Sequence, residues 1–342
     1  MQALYGFFKL QKDTQTYILL PMKKNLPIII TSLVVVTLIV LGFVFAPPTL
    51  SEKQLETLMI VGIICGCSAA YCFIVGEITR NNSQMDKLWS LLPIAYAWVI
   101  AWKGDYKPRL VLFAIIATLW GIRLTANFAR KGAYSLKFWS GEEDYRWRVL
   151  REKPGLNRRP IWAIFDLFFI SIYQNALVLA ICIPSLVAMD SDAPLGAVDY
   201  LAVSAAFMFL LIETIADEQQ MAFHTTKRRM LAEGKSLNEL PAPFDLGFNT
   251  TGLWRFARHP NYLGEQGIWM SLYFFAVGAG ACAYGVFSFS MVGPLLLIFL
   301  FLGSSAFGEG VSSSKYPEYE DYQRQVFKYF PLRKYHRSDK AE

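Results

Sequence analysis

The feature that most constrains this chain is the length of its uncharged tracts. Residues 266–308 contain no Asp, Glu, Lys or Arg. As one α-helix they would extend about 64 Å, whereas about 20 apolar residues already span the hydrocarbon core of a bilayer. The tract therefore predicts two membrane crossings, joined by a glycine-containing turn at 277–280 and 282–285.

Further apolar runs precede this tract. Overall, 54% of the 342 residues are apolar and only 18% are charged, against about 25% charged in soluble domains. The third run is only 15 residues long and contains Pro93. We therefore predict an all-α, polytopic transmembrane helix bundle with seven or eight spans. The six earlier runs are 26–46, 58–78, 88–102, 110–129, 161–189 and 197–215.

The distribution of Lys and Arg predicts the orientation of the bundle. With eight spans, 28 of the 33 Lys and Arg residues lie on the side that holds both termini. Because cytoplasmic loops are rich in Lys and Arg, we expect both termini in the cytoplasm. The first 25 residues lack the pattern of a cleavable signal peptide, so the first span is expected to direct its own insertion. We expect the membrane to be a bacterial inner membrane or the endoplasmic reticulum.

Several functional classes lack their sequence signatures here. The net charge of +6 reflects the basic cytoplasmic face, and no element for reading nucleic acid is visible. Five cysteines in apolar tracts and three histidines show no metal-ligand spacing, so we expect no metal site. Neither a dinucleotide-binding glycine motif nor a phosphate-binding loop occurs. Any nucleotide must therefore be bound by the membrane helices and their loops.

Ionisable side chains inside spans are costly and are functional candidates by default. Asp86, Arg123 and Asp166 are of this kind. Arg123 and Asp166 could instead form a structural pair, and Asp86 could instead sit favourably at a helix N-terminus. A contact with substrate is the alternative for each.

A polar stripe begins inside the sixth span. Helical spacing places Glu213, Asp217, Gln220 and His224 on one face. A stripe that starts within the membrane is unusual for a helix that merely leaves it. The pattern favours a hydrated cavity lined for a ligand.

The sharpest signal is the stretch 252–265, GLWRFARHPNYLGE. Asn261 is expected to cap the following helix, whose free amides and dipole attract an anion. Arg255 and Arg258 could add contacts to phosphate. An ordinary positively charged span end would explain the arginines, but it leaves Glu265 without a reason.

The C-terminal region repeats aromatic residues on a polar background. Tyr319 and Tyr322 are three residues apart and can share a helix face. They could close over a planar ring.

The stretch Arg258-His259-Pro260-Asn261-Tyr262-Leu263-Gly264-Glu265 resembles the cofactor motif of the steroid 5α-reductase family, particularly its poorly characterised, largely bacterial branch. The resemblance extends over roughly 86–331. It divides the chain into a segment 1–85, with two spans outside the resemblance, and a reductase-like membrane domain 86–342 with cytoplasmic cofactor-binding loops. The other segments that carry the resemblance are Trp120–Leu124 with Gly141–Arg146, Tyr173–Asn175 and Ile212–Gln220.

The resemblance implies NADPH-dependent reduction of a carbon–carbon double bond conjugated to a ketone. The substrate would be a lipophilic small molecule, steroid-like or isoprenoid, taken from the bilayer. The implied substrate-facing, catalytic residues are Asp86, Arg123, Tyr173 and Gln174. The cofactor-binding residues would be Glu213, Asp217, Arg255, Arg258, His259, Asn261, Tyr262 and Glu265, joined by Tyr319 and Tyr322.

One departure from the steroid reductases and one likeness to another enzyme class keep other functions open. The steroid reductases carry a basic, histidine-containing segment near their C-terminus, whereas the aligned stretch 304–310 has no base. Membrane methyltransferases that use S-adenosylmethionine also carry an Arg-His-Pro-x-Tyr motif, with a C-terminal glutamate and a tyrosine pair that Glu309, Tyr319 and Tyr322 match. A non-enzymatic lipid-binding protein is a third reading. Beyond substrate and membrane lipids, no obligate protein partner is evident.

Overall fold

The structure is a computed structural model that describes residues 30–337. Over this range the chain is helical, without a β-strand, as the sequence predicts. The start of the first predicted span and the expected absence of a signal peptide lie outside the described residues. The helices are α1 Ile30–Phe45, α2 Glu52–Thr79, α3 Gln84–Trp89, α4 Leu92–Lys103, α5 Pro108–Arg130, α6 Tyr145–Arg151, α7 Arg159–Val187, α8 Ala197–Ala232, α9 Pro260–Gly278, α10 Val292–Lys315 and α11 Tyr319–Gln325.

Five of these helices, α2, α5, α7, α8 and α10, are long and apolar enough to cross a membrane. The prediction of a polytopic helical membrane protein is thereby confirmed. The third predicted span does not form one helix, because it divides into α3 and α4. Pro93 lies in the first turn of α4, where its missing N–H group is tolerated. The 12 residues of α4 rise only about 18 Å, too little to cross the hydrocarbon core.

Local sequence signals set the helix starts. Ser51 caps α2 by accepting a hydrogen bond from the Gln54 backbone amide at 3.1 Å, and the Gln54 side chain accepts one in return from the Ser51 amide at 3.0 Å. This reciprocal pair is a capping box. Pro108 and Pro260 open α5 and α9, where a residue without an N–H group leaves no donor unsatisfied.

Helices α8 and α9 pack closely, and glycine permits it. A Cβ atom at Gly264 would lie 2.9 Å from the Glu213 Cα atom, and one at Gly267 would lie 2.3 Å from the Phe209 ring. These contacts bring the polar stripe of α8 beside the first turns of α9. The motif, residues 258–265, and the polar stripe from Glu213 to His224 are separate in sequence but lie at one end of the bundle. We call this end the motif side.

The middle of α7 departs from α-helical geometry. Asp166–Tyr173 forms a π-helix, and one extra residue per turn changes which side chains face inward. Phe165, Phe169 and Tyr173 stack in sequence, with ring centroids 5.0 and 5.6 Å apart. Such segments are frequent at functional sites.

The opposite side of the bundle is held by a buried ion pair. Arg109 donates to both carboxylate oxygens of Asp199, at 2.8 and 2.9 Å, and to the Gly278 carbonyl at 3.0 Å. Both charged side chains are almost fully buried. Because its polar atoms are well satisfied, the pair joins the ends of α5, α8 and α9 rather than forming a site.

Candidate functional site

A cavity of about 790 Å³ lies among α5, α7, α8, α9 and α10 on the motif side. It brings together segments from residue 86 to residue 322 of the chain. All four members of the predicted polar stripe, from Glu213 to His224, line it, so the prediction that they share one face is confirmed. The predicted site residues that line the cavity are Asp86, Gln174, Glu213, Asp217, Arg258, His259, Asn261, Tyr262, Glu265, Tyr319 and Tyr322.

Arg123 lies directly behind the cavity wall and pairs with two acidic residues that line it. Its guanidinium forms ion pairs with Glu213 and with Asp217, the latter at 2.6 Å. The alternative in which Arg123 pairs with Asp166 is therefore wrong, because the partners of Arg123 are Glu213 and Asp217. Asp166 lies on α7, where its carboxylate accepts a hydrogen bond from Ser171 at 3.3 Å. The sequence could not show which neighbouring helix Arg123 meets, because that depends on how α5 packs against α8.

The first turn of α9 extends this network. Asn261 does not cap the helix as expected, because His259 occupies the N-cap position and Pro260 the first turn. Instead, the Asn261 side-chain amide donates to Asp217 at 3.1 Å. Its Oδ1 atom has no hydrogen-bond partner among the described residues. One end of this side chain is thus fixed, while an acceptor remains for a ligand.

Glu265 follows one turn later and is 7% exposed. Its carboxylate accepts a hydrogen bond from the Trp89 indole N–H at 3.0 Å. A buried carboxylate in an apolar helix requires a partner, and this contact supplies one for Glu265. A tryptophan of α3, rather than a cation, is its direct partner.

A second carboxylate, that of Glu309 on α10, contacts two residues of the motif. Glu309 is 6% exposed and accepts hydrogen bonds from Arg258 at 2.7 Å and from Gln323 at 3.2 Å. His259 Nε2 lies 3.0 Å from the same carboxylate, which requires the Nε2–H tautomer because a carboxylate accepts. Burial lowers the pKa of His259 below its ordinary range, and Glu309 opposes that shift. Arg258 is therefore held by the protein rather than free for a phosphate.

Backbone contacts from the C-terminal segment 326–335 complete the motif. The amides of Arg258 and His259 donate to the carbonyls of Phe327 at 3.1 Å and Lys328 at 2.9 Å. In return, the amide of Tyr335 donates to the Arg255 carbonyl at 2.8 Å. The loop that precedes α9 is thus fixed by residues about 70 positions later in the chain.

Asp86 lies on another wall of the cavity. Its carboxylate accepts a hydrogen bond from the Trp147 indole at 2.7 Å and lies 3.4 Å from Arg146. Burial raises the pKa of Asp86 above its ordinary range, although Arg146 opposes the shift. Asp86 lies in the first turn of α3, so the alternative that it sits at a helix N-terminus is confirmed, although the N-cap residue itself is Ser83.

Three predicted site residues do not line the cavity. Arg123 acts behind the wall, through its two acidic partners. The Arg255 side chain turns away and donates to the Tyr335 carbonyl at 3.2 Å. Tyr173 packs on Phe169. For Arg255 and Tyr173, the prediction of a direct ligand contact is not supported by their position.

Tyr319 and Tyr322 reach the cavity from α11 as part of an aromatic cluster. Their ring centroids are 5.6 Å apart, nearly perpendicular, and the Tyr322 hydroxyl donates to the Trp254 carbonyl. Phe248 packs edge-on against Tyr319 at 4.9 Å. The pair is therefore a packed wall and not two free rings.

Sequence reasoning missed several lining residues. Asn127 donates to Asp217 at 2.9 Å, and its position one helical turn after Arg123 could have indicated this. Trp89 and Trp147 hold the two carboxylates described above, but nothing in their local pattern marks them. Lys131 and Arg228 line the mouth of the cavity with exposed side chains. They add positive charge where a solvent-borne ligand would arrive.

Comparison with known proteins identifies one family whose profile covers the whole region of the cavity. The profile described as "Protein of unknown function (DUF1295)" matches residues 72–326, a range that contains every residue lining the cavity. An uncharacterised protein of the fission yeast Schizosaccharomyces pombe is 34% identical over 279 residues, which are 76% of this chain and 77% of that protein. No solved structure matches the chain.

Proposed function

We propose, for a chain that belongs to the DUF1295 family of proteins of unknown function, NADPH-dependent reduction of a carbon–carbon double bond conjugated to a ketone in a lipophilic substrate. One observation carries the proposal. The stripe of α8 and the motif of α9 meet in a single cavity, joined by the hydrogen bond from Asn261 to Asp217. That cavity also has an apolar end between α7 and α10. The placement of DUF1295 in the steroid 5α-reductase-like superfamily supports this proposal.

The residues present fit a dinucleotide. The volume of about 790 Å³ lies within the range of about 300–1,000 Å³ for ligand pockets. Buried acceptors without partners among the described residues, Glu213 Oε2 and Asn261 Oδ1, suit the hydroxyl and amide donors of such a ligand. The cationic side chains of Lys131 and Arg228 stand at the mouth, where they suit its phosphates. NADPH, when bound, would supply the hydride.

The chain's own residues would then polarise the substrate. Negative charge develops on the ketone oxygen as the double bond is reduced, and a preorganised donor stabilises it. In this proposal the donor is the protonated carboxyl of Asp86, the form that burial favours because it raises the pKa of that group. The Trp147 indole, at 2.7 Å, would fix the orientation of that carboxyl. Gln174 lines the same cavity and offers a neutral amide donor.

A specific observation supports a second candidate, an S-adenosylmethionine-dependent membrane methyltransferase. Glu309 contacts both Arg258 and His259, and Tyr319 and Tyr322 line the same cavity. The reductase leads because Glu213, Asp217 and Glu265 also line it. A non-enzymatic lipid-binding role is compatible with the apolar end of the cavity.

Calorimetry on the detergent-purified protein separates these proposals. NADPH and S-adenosylmethionine are titrated in parallel into wild type. Binding of NADPH alone supports the reductase and justifies a screen of enone substrates. Binding of S-adenosylmethionine alone overturns it in favour of the methyltransferase. Binding of neither, with or without an added enone, argues against both enzymes and favours lipid binding.

A further inference from the structure

The cavity wall is apolar where α7 faces α10. Among the residues lining it there, Phe169 is 36% exposed and Gly303 is also exposed, so no neighbouring element covers either of them. The lining residues of this region are Phe165, Phe169, Leu300, Gly303, Ser304 and Phe307.

The two helices diverge along their length. At Gly293 they touch, because a Cβ atom there would lie 2.2 Å from the backbone of Ala180. Ten residues further along α10, which is about 15 Å, a Cβ atom at Gly303 would have no neighbour within 4 Å. The space between α7 and α10 is thus a slit, closed at Gly293 and open at Gly303.

The slit lies at the depth of the bilayer. Both helices belong to segments long and apolar enough to cross it. Beside the slit, Phe168 and Ile164 are 61% and 58% exposed, as expected for side chains that face hydrocarbon. At the motif-side edge, the Lys153 ammonium lies 4.9 Å from the centre of the Phe307 ring. Lysine side chains near the ends of spanning segments commonly extend toward the lipid headgroups.

We propose that this slit is a lateral opening through which a bilayer lipid enters the cavity, and that Gly303 sets its width. The ligand would be a single lipid with a bulky apolar body. Apolar surface passes such a wall without a desolvation cost, whereas a charged solute would lose its hydration. The proposal concerns the route of the lipid and does not depend on which cofactor is bound.

Photolabelling of the full-length protein in phosphatidylcholine vesicles tests this route. The vesicles contain a diazirine-bearing cholesterol analogue, and adducts are located by mass spectrometry after irradiation. Wild type is expected to carry adducts on cavity residues such as Trp89 and Tyr262. Gly303→Phe should form them about tenfold more slowly, because a narrowed opening reduces the rate of association. Adducts on the outward-facing Met59 of α2, 62% exposed, should not change.

Gly66→Phe is the matched control. It introduces the same side chain at a glycine of a spanning helix where a Cβ atom also has no neighbour within 4 Å, away from the slit. Phe169→Ala widens the slit and should increase the rate of labelling. Thermal melting shows whether Gly303→Phe folds. If it does not, Phe169→Ala still tests the opening.

Two results overturn the proposal. One is wild type without adducts in the cavity. The other is cavity labelling that neither Gly303→Phe nor Phe169→Ala changes relative to Gly66→Phe. Failure of NADPH to bind wild type would count against the reductase but not against the opening, since labelling is measured without cofactor.

Discussion

Arg123 on α5 and Asp217 on α8 form an ion pair with 2.6 Å between Nη1 and Oδ2, and the same guanidinium also pairs with Glu213. One cation thus balances two acids in the cavity wall. Asn127 and Asn261 donate to the same Asp217 carboxylate, at 2.9 and 3.1 Å. The polar face of α8 is therefore held against α5 and α9 together.

The first prediction concerns the stability that this cation provides. Arg123→Met keeps the length of the side chain but leaves Glu213 and Asp217 buried without compensation. Removal of one partner of a buried ion pair typically costs about 3–5 kcal/mol, so we expect a clearly lower melting temperature in detergent. Arg130→Met is the control, because its pair with Glu218 is about half exposed and worth about 0–1 kcal/mol. Equal melting of the two variants would contradict the assigned role.

The second prediction separates binding from folding at Asn261. Asn261→Ala removes the unpartnered Oδ1 acceptor and the hydrogen bond to Asp217. We expect NADPH affinity to fall about tenfold, as for a lost hydrogen bond of about 1.5 kcal/mol, with little change in melting. Calorimetry measures the affinity, and the exposed Asn238→Ala serves as the control. Unchanged affinity in Asn261→Ala would remove this residue from the proposed site.

The third prediction concerns Glu309, whose carboxylate contacts Arg258 and His259 of the motif. Glu309→Gln keeps the shape but removes the negative charge that pairs with Arg258 and Lys328 and that accepts a hydrogen bond from His259. Because buried cations then lose their partner, we expect a destabilisation of about 3 kcal/mol and weaker ligand binding. The matched change Glu320→Gln, at an exposed position of α11, should leave both unchanged. A melting temperature equal to that of wild type would show that the motif does not depend on this carboxylate.

The fourth prediction is a pH dependence from His259. Burial lowers its pKa in the folded protein below the ordinary 6.5, so the unfolded chain binds a proton that the folded chain does not. Stability contributed by neutral His259 is present above pH 6.5 and is lost as the pH falls below it. Between about pH 7.5 and 5.5, His259→Gln should lose less stability than wild type. The exposed His336→Gln is the matched control for the loss of an imidazole, and a His259→Gln profile identical to wild type would refute the assignment.

The positions of most helices could be predicted from the sequence, because a bilayer requires long uncharged runs. The fourth predicted span, 110–129, agrees with α5, Pro108–Arg130. The sixth was predicted to end at residue 215, whereas α8 continues to Ala232. Hydropathy identifies only the part in lipid, and the polar stripe extends the helix beyond it.

The site could be predicted only in part, for physical reasons. Spacing along α8 gave the shared face of Glu213 and Asp217, since helix geometry is local. It could not give Arg123 as their partner, because that depends on how α5 packs against α8. The contacts of Arg258 and His259 with the segment 326–335 use backbone groups, which leave no pattern in the side chains.

Those backbone contacts have a consequence for biosynthesis. The ribosome makes α9, α10 and α11 before it reaches Phe327 and Lys328, whose carbonyls fix the loop before α9. Helices that enter the membrane in order can thus pack while the motif still lacks two of its hydrogen-bond acceptors. The loop before α9 is thus fixed only after the helices around the cavity have been made. A nascent chain can therefore be inserted into the membrane before it is able to hold a ligand.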